Sequence, residues 1–298
     1  MKKLKIGYFA DGPWSHKAFN NLVQDTSIQF QFIVPRFDTI DTKLEELSKL
    51  HKIDYIKTKN INSQEFINII SKYECDIFIS LSFNQIFKSP IINLPSLKTI
   101  NVHCGKLPFY RGRNILNWAL INDETDFGIT VHYVDEGIDT GDIILQKIHK
   151  IEETDNYGTL LNKAYEGCAE ILHEAINILQ SSNFKPIPQN TIHPTGFYCG
   201  IRGEGDEIIN WNQTSRQIFN FIRAVSNPGP IATTKCNGEI VKINNSKYLP
   251  DVPKFIGTPG QIIGKIKDGH FLVKTVDSYI EIFEINSNLK LKIGNKLT

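Results

Sequence analysis

Asn101 and His103 stand two residues apart at the end of a run, Thr99 to His103, that reads as a β-strand. Side chains at positions i and i+2 of a strand project from the same face, so the amide and the imidazole are expected to lie side by side. A third polar side chain, Asp139, follows another predicted strand in a turn-rich loop. We predict that the fold brings these three side chains together.

An Asn, His and Asp trio without a serine or cysteine nucleophile suits acyl transfer by direct attack of a substrate amine on a bound acyl donor. The protein then supplies hydrogen bonds to the developing oxyanion and a route for the amine proton. Cys104 is a nucleophile by position, but its side chain should point away from that of His103. We therefore favour direct attack over a covalent intermediate.

Bulk composition narrows the class of protein. The 298 residues suggest about two domains. The net charge of +1 argues against a large nucleic-acid footprint, which normally shows as a strong basic excess. The five cysteines are scattered and form no CxxC pair, so we expect a reducing, cytoplasmic compartment and no disulfide framework.

Several kinds of protein are not indicated by the sequence. The apolar run Ile6 to Ala10 reads as a first strand and not as a signal peptide. No apolar stretch approaches the ~18 residues of a membrane-spanning helix. Neither a phosphate-cradling loop nor a dinucleotide fingerprint is present, and no spacing of His, Cys or acidic residues is typical of a metal site. We expect no metal and no membrane partner.

Strands alternate with helices through the first half of the chain, which predicts a Rossmann-like α/β domain with a mostly parallel sheet covered by helices on both faces. We place this domain at residues 1–180. Residues 181–202, rich in proline and polar residues, are predicted to be a linker or wrapping segment. Residues 203–298 are predicted to form a small helix-plus-β domain, resembling a barrel, whose helix begins with a capping box at Thr214–Gln217.

The polar motifs together resemble a known family, the 10-formyltetrahydrofolate-dependent formyltransferases. This family includes glycinamide ribonucleotide transformylase, methionyl-tRNA formyltransferase and the sugar N-formyltransferases of lipopolysaccharide and O-antigen synthesis. The matching segments are Asn101-Val-His103, Leu107-Pro108, Tyr110-Arg111-Gly112, Gly128-Ile-Thr-Val-His132 and Gly137-Ile-Asp139-Thr-Gly-Asp142. Later segments, Asn210-Trp211, Ile222-Arg223-Ala224-Val225 and Pro228, resemble the second domain of the tRNA and sugar members.

The resemblance implies catalytic roles for three residues. His103 would stabilise the oxyanion in its protonated form, and Asn101 would donate a second hydrogen bond. Asp139 would orient His103 and help to move the proton of the amine.

The resemblance also implies a donor site and an acceptor site. The formyl donor would be 10-formyltetrahydrofolate, held by residues of two loops: Ser82, Phe83, Asn84, Val134, Asp135, Gly137 and Ile138. The acceptor would lie over the loop that carries Lys106, Tyr110, Arg111 and Arg113. Trp211 would either stack on a base of the acceptor or belong to the core.

Departures from the family pattern favour one kind of acceptor. The tRNA enzymes usually have Ser-Leu-Leu-Pro where this chain has Cys104-Gly-Lys-Leu-Pro108, and the net charge here is near neutral. The loop resembles that of sugar N-formyltransferases acting on dTDP-linked amino-dideoxy sugars, so we expect a nucleotide-sugar substrate and no nucleic-acid partner. The apolar C-terminal strands are expected either to form the two-fold interface of a homodimer or to close a barrel. Methionyl-tRNA formyltransferase is the second hypothesis, and a folate- or nucleotide-binding protein without turnover is the third.

Overall fold

The computed structural model describes residues 3–181 and 183–298, and the elements below refer to those residues. The strands are β1 (Leu4–Ala10), β2 (Ile28–Pro35), β3 (Asp54–Tyr55), β4 (Ile77–Leu81), β5 (Thr99–His103), β6 (Arg111–Gly112), β7 (Asp126–Tyr133), β8 (Ile143–Lys150), β9 (Tyr198–Cys199), β10 (Ala232–Cys236), β11 (Glu239–Lys247), β12 (Ile262–Lys267), β13 (His270–Lys274) and β14 (Tyr279–Ser287). The helices are α1 (Gly12–Leu22), α2 (Thr42–His51), α3 (Gln64–Ile70), α4 (Ser89–Ile92), α5 (Ile115–Ile121), α6 (Tyr157–Leu179), α7 (Gln189–Ile192) and α8 (Ser215–Val225).

The chain divides into two compact units. The first holds the described residues up to Gly112, with Phe127–His149 and Asn162–Cys199. Its sheet has the strand order β3-β2-β1-β4-β5-β7-β8. Neighbouring strands from β3 to β5 are parallel, and β7 runs antiparallel to β5. The predicted mostly parallel sheet with intervening helices is confirmed.

An aromatic cluster packs against β1 and β4 in the first unit. The ring centroid of Phe9 lies 5.4 Å from that of Phe78 and 5.6 Å from that of Phe83, both in edge-to-face geometry. Such pairs add to the free energy gained by burying the rings. Val134, just after β7, packs against the same cluster. The cluster therefore fixes the loops that follow β4 and β7, which both carry predicted donor-binding residues.

The second unit holds Arg113–Asp126, Lys150–Leu161 and Gly200–Thr298. Its five strands form an antiparallel sheet in the order β10-β11-β14-β13-β12, as predicted for a small mainly-β domain. The predicted capping box is confirmed, because Thr214 and Gln217 satisfy each other's backbone N–H groups at the start of α8. The predicted domain bounds at residues 180 and 203 stay predictions.

Trp211 belongs to the core of this second unit, which corrects its predicted role in stacking on a base. The side chain is 5% exposed and packs in the cluster that contains Ile218 and Ile222 of α8. Its indole N–H donates to the hydroxyl of Thr234 at 3.0 Å. Burial of an amphipathic ring with its polar atom satisfied is a stable arrangement, and it leaves no ring face for a ligand.

Two kinds of feature are not found among the described residues. None of their helices has the length and apolar character needed to cross a bilayer. No group of three or more His, Cys, Asp or Glu side chains within residues 3–181 and 183–298 is placed to hold a metal ion.

Candidate active site

The candidate site lies at the end of β5, in the first unit. Strand β5 pairs with β4 in parallel, and with β7 in antiparallel register that sets Asn101 opposite His132 and His103 opposite Thr130. Ligands of open α/β sheets bind outside the carboxyl ends of the parallel strands. Asn101 and His103 therefore stand where such a sheet places its chemistry.

His103 is held between two hydrogen-bond acceptors. Its Nε2 lies 2.7 Å from the carbonyl oxygen of Tyr110, and its Nδ1 lies 3.5 Å from Oδ2 of Asp139. A carbonyl oxygen only accepts, so Nε2 donates. A carboxylate beside the other nitrogen favours a second ring proton. The geometry thus supports an imidazolium ion at this position.

Burial opposes that charge. It lowers the pKa of His103 below the ordinary value, and the opposing effects of the Asp139 carboxylate and the Tyr110 carbonyl do not fully compensate. Burial raises the pKa of the Asp139 carboxyl, but His103, His132 and the N–H of Gly112 together hold that pKa well below its usual range. Asp139 therefore stays ionised at neutral pH, whereas the second proton of His103 is held weakly enough to be exchanged.

Asp139 reaches this position through an unusual backbone conformation. Its φ of 55° lies in the left-handed region, which is uncommon for residues other than glycine. The carboxylate Oδ2 accepts a hydrogen bond of 2.9 Å from the backbone N–H of Gly112. The loop after β7 is thereby tied to the loop after β5, which brings together the three residues predicted from the sequence.

A fourth polar side chain, His132, joins Asn101, His103 and Asp139, and these four residues form the His103 cluster. No role for His132 is predicted from the sequence. Its Nδ1 donates to the carbonyl oxygen of Tyr133 at 2.8 Å, and its Nε2 accepts from Nδ2 of Asn101 at 3.2 Å, because an amide nitrogen can only donate. His132 Nε2 also lies 3.5 Å from Oδ1 of Asp139. His132 thus fixes the amide of Asn101 with its NH₂ group toward the cluster. The antiparallel pairing of β5 with β7 would have revealed this contact.

Gly105 has no side chain, and the space that a side chain would take is occupied by the imidazole of His103 and the carbonyl group of Tyr110. A Cβ atom at this position would lie 2.3 Å from the carbonyl oxygen of Tyr110 and 2.4 Å from Nε2 of His103. Both atoms belong to the hydrogen bond that orients the imidazole. The carbonyl of Gly105 itself accepts from the hydroxyl of Thr130 at 2.7 Å, so the glycine has little freedom to move away.

We expect Gly105→Ala to displace His103 and to lower the rate of the catalysed reaction by about 10-fold or more, since small misplacements of reacting groups cost up to about 10²-fold. Overpacking should also lower the free energy of unfolding by about 1–3 kcal/mol. Steady-state rates and thermal unfolding measure the two effects. Gly203→Ala is the matched control, because a Cβ there meets no atom within 4 Å. Equal rates for both variants would contradict this account of Gly105.

Cys104, the alternative nucleophile, contacts a different part of the first unit. Its Sγ lies 3.3 Å from Sγ of Cys168 on α6, and both cysteines are free thiols. Burial raises the pKa of the Cys168 thiol, and the neighbouring Cys104 raises it further. This thiol pair is separate from the hydrogen bonds of the His103 cluster.

The predicted donor-binding residues lie on the two loops beside the aromatic cluster. Ser82 and Asn84 are half-buried, and Phe83 and Val134 pack on the same apolar surface. The Asn84 amide donates to Asp38, while its buried Oδ1 has no hydrogen-bond partner. The remaining members, Asp135, Gly137 and Ile138, are exposed in a turn in which Asp135 accepts from the N–H of Gly137 and the hydroxyl of Thr140.

The predicted acceptor residues differ in how accessible they are. Lys106 and Arg113 are exposed, and Arg113 belongs to the second unit. The side chain of Tyr110 is buried against Phe197, at 4.9 Å between ring centroids. Arg111 is half-buried and donates to Gln189. Tyr110 therefore contributes to the site through its carbonyl group, which accepts from His103, and little of its ring is accessible to an acceptor.

Comparison with known proteins agrees with this arrangement. A family model described as formyl transferase matches residues 31–176, and one described as formyl transferase, C-terminal domain, matches residues 203–294. The methionyl-tRNA formyltransferase of Clostridioides difficile is 34% identical over 242 residues, which are 81% of this chain and 76% of that protein. That of Staphylococcus aureus is 34% identical over 236 residues, which are 79% of this chain and 74% of that protein.

Two solved structures have a similar fold over nearly the whole chain. WlaRD, a sugar 3N-formyltransferase determined with dTDP and 5-N-formyl-THF, gives a TM-score of 0.69 at 22% identity and covers 98% of this chain and 100% of its own. The N-formyltransferase of Helicobacter canadensis, in complex with folinic acid and dTDP-3-aminofucose, gives a TM-score of 0.67 at 22% identity. The match covers 96% of this chain and 100% of that protein.

The fold and the matched relatives define a one-carbon group transferase of the N-formyl class. The chain belongs to the formyltransferase family, whose two family models together match most of its length. The family resemblance and the expectation of an enzyme are confirmed.

Proposed function

We propose that this enzyme transfers a formyl group from 10-formyltetrahydrofolate to the amine of a nucleotide-linked, dTDP-type amino-dideoxy sugar. The observation that carries the chemistry is the position of His103 between the Tyr110 carbonyl and the Asp139 carboxylate, beside the Asn101 amide. The ring of His103 and the amide of Asn101 can donate hydrogen bonds, and His103 and Asp139 can exchange a proton. None of them is a strong nucleophile, which favours direct attack by the acceptor.

In the proposed reaction the amine nitrogen of the acceptor attacks the formyl carbon, and the bond from that carbon to N10 of the folate breaks. After the attack and before this bond breaks, negative charge develops on the formyl oxygen. Because Nε2 of His103 already donates to the Tyr110 carbonyl, the protonated ring donates to that oxygen through its Nδ1–H, beside the free N–H of Asn101. The amine loses one proton and N10 of the folate gains one. The reaction therefore needs a proton relay but no further reactant. Asp139, ionised next to His103, carries that relay.

The proposed donor is consistent with the solved relatives. The structures of WlaRD and of the Helicobacter canadensis enzyme contain 5-N-formyl-THF and folinic acid, respectively. In this chain the aromatic cluster with Phe83 and Val134 offers an apolar wall for a pterin ring. The unpartnered, buried Oδ1 of Asn84 lies next in the chain to Phe83 and is suited to accept from an amino group of the ring.

The proposed acceptor is supported by charge and by fold. A tRNA enzyme needs basic side chains for phosphate contacts, and this chain has a net charge of +1. The loop that joins β2 to α2, residues 36–41, has one basic side chain, Arg36, which is paired with Asp38, and a second acidic residue, Asp41. The sugar N-formyltransferases resemble the chain over their whole length. A formylated sugar would feed lipopolysaccharide or O-antigen synthesis from the cytoplasm.

Methionyl-tRNA formyltransferase is a second candidate, because two relatives bearing that name are 34% identical to this chain. The two functions differ in their dependence on salt. Binding of tRNA falls steeply as the salt concentration rises, since each phosphate contact displaces bound counterions. A nucleotide sugar has two phosphates and should show a shallow dependence.

The test is a panel of dTDP-linked amino sugars with the amine at C3 or C4, each incubated with the donor and analysed by mass spectrometry. We expect one or a few sugars to gain the mass of one CO. Charged initiator tRNA is tested in parallel over a range of salt concentrations. Formylation of the tRNA with a steep salt dependence, and of no sugar, would overturn the proposed acceptor and establish the second candidate.

A further inference from the structure

Gln189, on the short helix α7, lies against the loop that carries Asp139. Its side chain is 4% exposed. The amide Nε2 donates to the carbonyl oxygen of Asp139 at 2.9 Å and to that of Gly141 at 2.8 Å. The segment before it is also attached, since Ile187 and Ile143 exchange two backbone hydrogen bonds. Residues 187–189 thus run along the base of the Asp139 loop.

The other end of the same amide holds Arg111. Oε1 of Gln189 accepts from Nε of Arg111 at 3.2 Å and from Nη2 at 2.6 Å. The amide therefore uses two donor hydrogens and accepts two hydrogen bonds, which satisfies the whole group. A rotated amide would set NH₂ against the guanidinium and oxygen against two carbonyl groups. Only one orientation of Gln189 is stable.

These contacts close a ring around the Asp139 carboxylate. Gln189 holds the backbone carbonyl of Asp139, and the backbone N–H of Gly112 holds its carboxylate. Arg111, next to Gly112 in the chain, is held by Gln189 in turn. We propose that Gln189 is a positioning residue that keeps the left-handed backbone of Asp139 in place and so aims its carboxylate at His103.

The physical basis is the conformation of Asp139. A non-glycine residue at a φ of 55° persists only where its surroundings hold it. Two hydrogen bonds from Gln189, to the carbonyl groups of Asp139 and Gly141, supply that restraint at the backbone, while the N–H of Gly112 holds the carboxylate. Without them the loop can relax toward an ordinary backbone conformation, and the carboxylate moves away from His103.

Two variants separate the donor and acceptor roles of the amide. Gln189→Glu still accepts from Arg111 but loses both donors to the Asp139 loop. Gln189→Met keeps the length of the side chain and loses every hydrogen bond. We expect both variants to lower kcat by about 10-fold or more, up to about 10²-fold, with little change in KM for the folate donor. Gln64→Met, at an exposed glutamine of α3, is the matched control.

A second readout does not depend on the acceptor. The groups that act on the charge of His103 are Asp139, from the loop after β7, the carbonyl of Tyr110, from the loop after β5, and His132, from β7. If Asp139 moves away in Gln189→Met, its raising effect is lost and the pKa of His103 falls. Histidine NMR titration measures this shift, with the His103 signal assigned from its absence in His103→Asn.

This inference rests on the proposed role of His103 and Asp139 in formyl transfer. If wild type formylates none of the sugars, the proposed acceptor fails, but the NMR titration still tests Gln189. A variant pair with wild-type kcat and an unchanged pKa of His103, even at a lower melting temperature, would reduce Gln189 to a structural residue. Wild-type rates in Gln189→Glu alone would overturn the donor role and leave only the contact with Arg111.

Discussion

The His103→Ala variant is expected to transfer formyl groups about 10²–10³-fold more slowly than wild type. This is the loss typical of removing one preorganised donor to a developing oxyanion. The imidazole in this enzyme is held by the Tyr110 carbonyl and faces Asp139, so it needs no reorganisation as charge develops. Single-turnover rates with saturating donor and acceptor measure the chemical step. Asn101→Ala should show a similar loss, since its amide supplies the second hydrogen bond.

A control is needed because His103 is buried. His173 on α6 is a suitable match, since it pairs with Asp25 at 2.8 Å and has no contact with the cluster. His173→Ala should keep the wild-type rate. Thermal unfolding of both variants shows whether either substitution disturbs the fold. A folded His103→Ala variant that retains more than about a tenth of the wild-type rate would contradict the proposed role, because the loss expected of an oxyanion donor is larger.

Asp139→Asn is the second substitution with a large expected effect. The amide has the same shape as the carboxylate, and its oxygen can still accept from the N–H of Gly112. What is lost is the negative charge beside His103. Because that charge raises the pKa of His103 against the effect of burial, its removal lowers the pKa further. We expect a rate loss of at least about 10²-fold from the missing imidazolium and the broken proton relay.

The pH dependence gives Asp139→Asn a specific signature. A rate that requires protonated His103 is full below the pKa of that residue and falls as pH rises through it. Since the variant lowers this pKa, the break in its rate profile that reports the titration of His103 should move to lower pH. The break set by deprotonation of the acceptor amine should stay in place. Rates measured across pH with one acceptor test this, and a profile in which neither break moves would exclude charge on His103 as the function of Asp139.

Features that depend on short-range order could be predicted from the sequence. The period of two along β5 places Asn101 and His103 on one face wherever that strand lies. The alternation of strands and helices predicts the parallel sheet, because only βαβ connections cover both of its faces. The capping box at Thr214 and Gln217 is also predictable, because its two partners are only three residues apart.

Features that depend on strand register or on contacts between distant segments could not be predicted from the sequence. The contact between Asn101 and His132 exists because β7 pairs with β5 in one antiparallel register, and a shift by one residue would set a different side chain there. Trp211 appeared as a binding residue or a core residue with equal reason, and only the packing around α8 places it inside.

The sequence by itself determined that a strand ends in an amide and an imidazole, followed by a glycine-bearing loop and, later, by an aspartate between glycines. The tertiary structure decided that Asp139 reaches His103 and what holds it there. That outcome depends on the backbone N–H of Gly112 and on the amide of Gln189, which lies 50 residues further along the chain. Interactions of this kind leave no local pattern, because their partners meet only after the chain has folded.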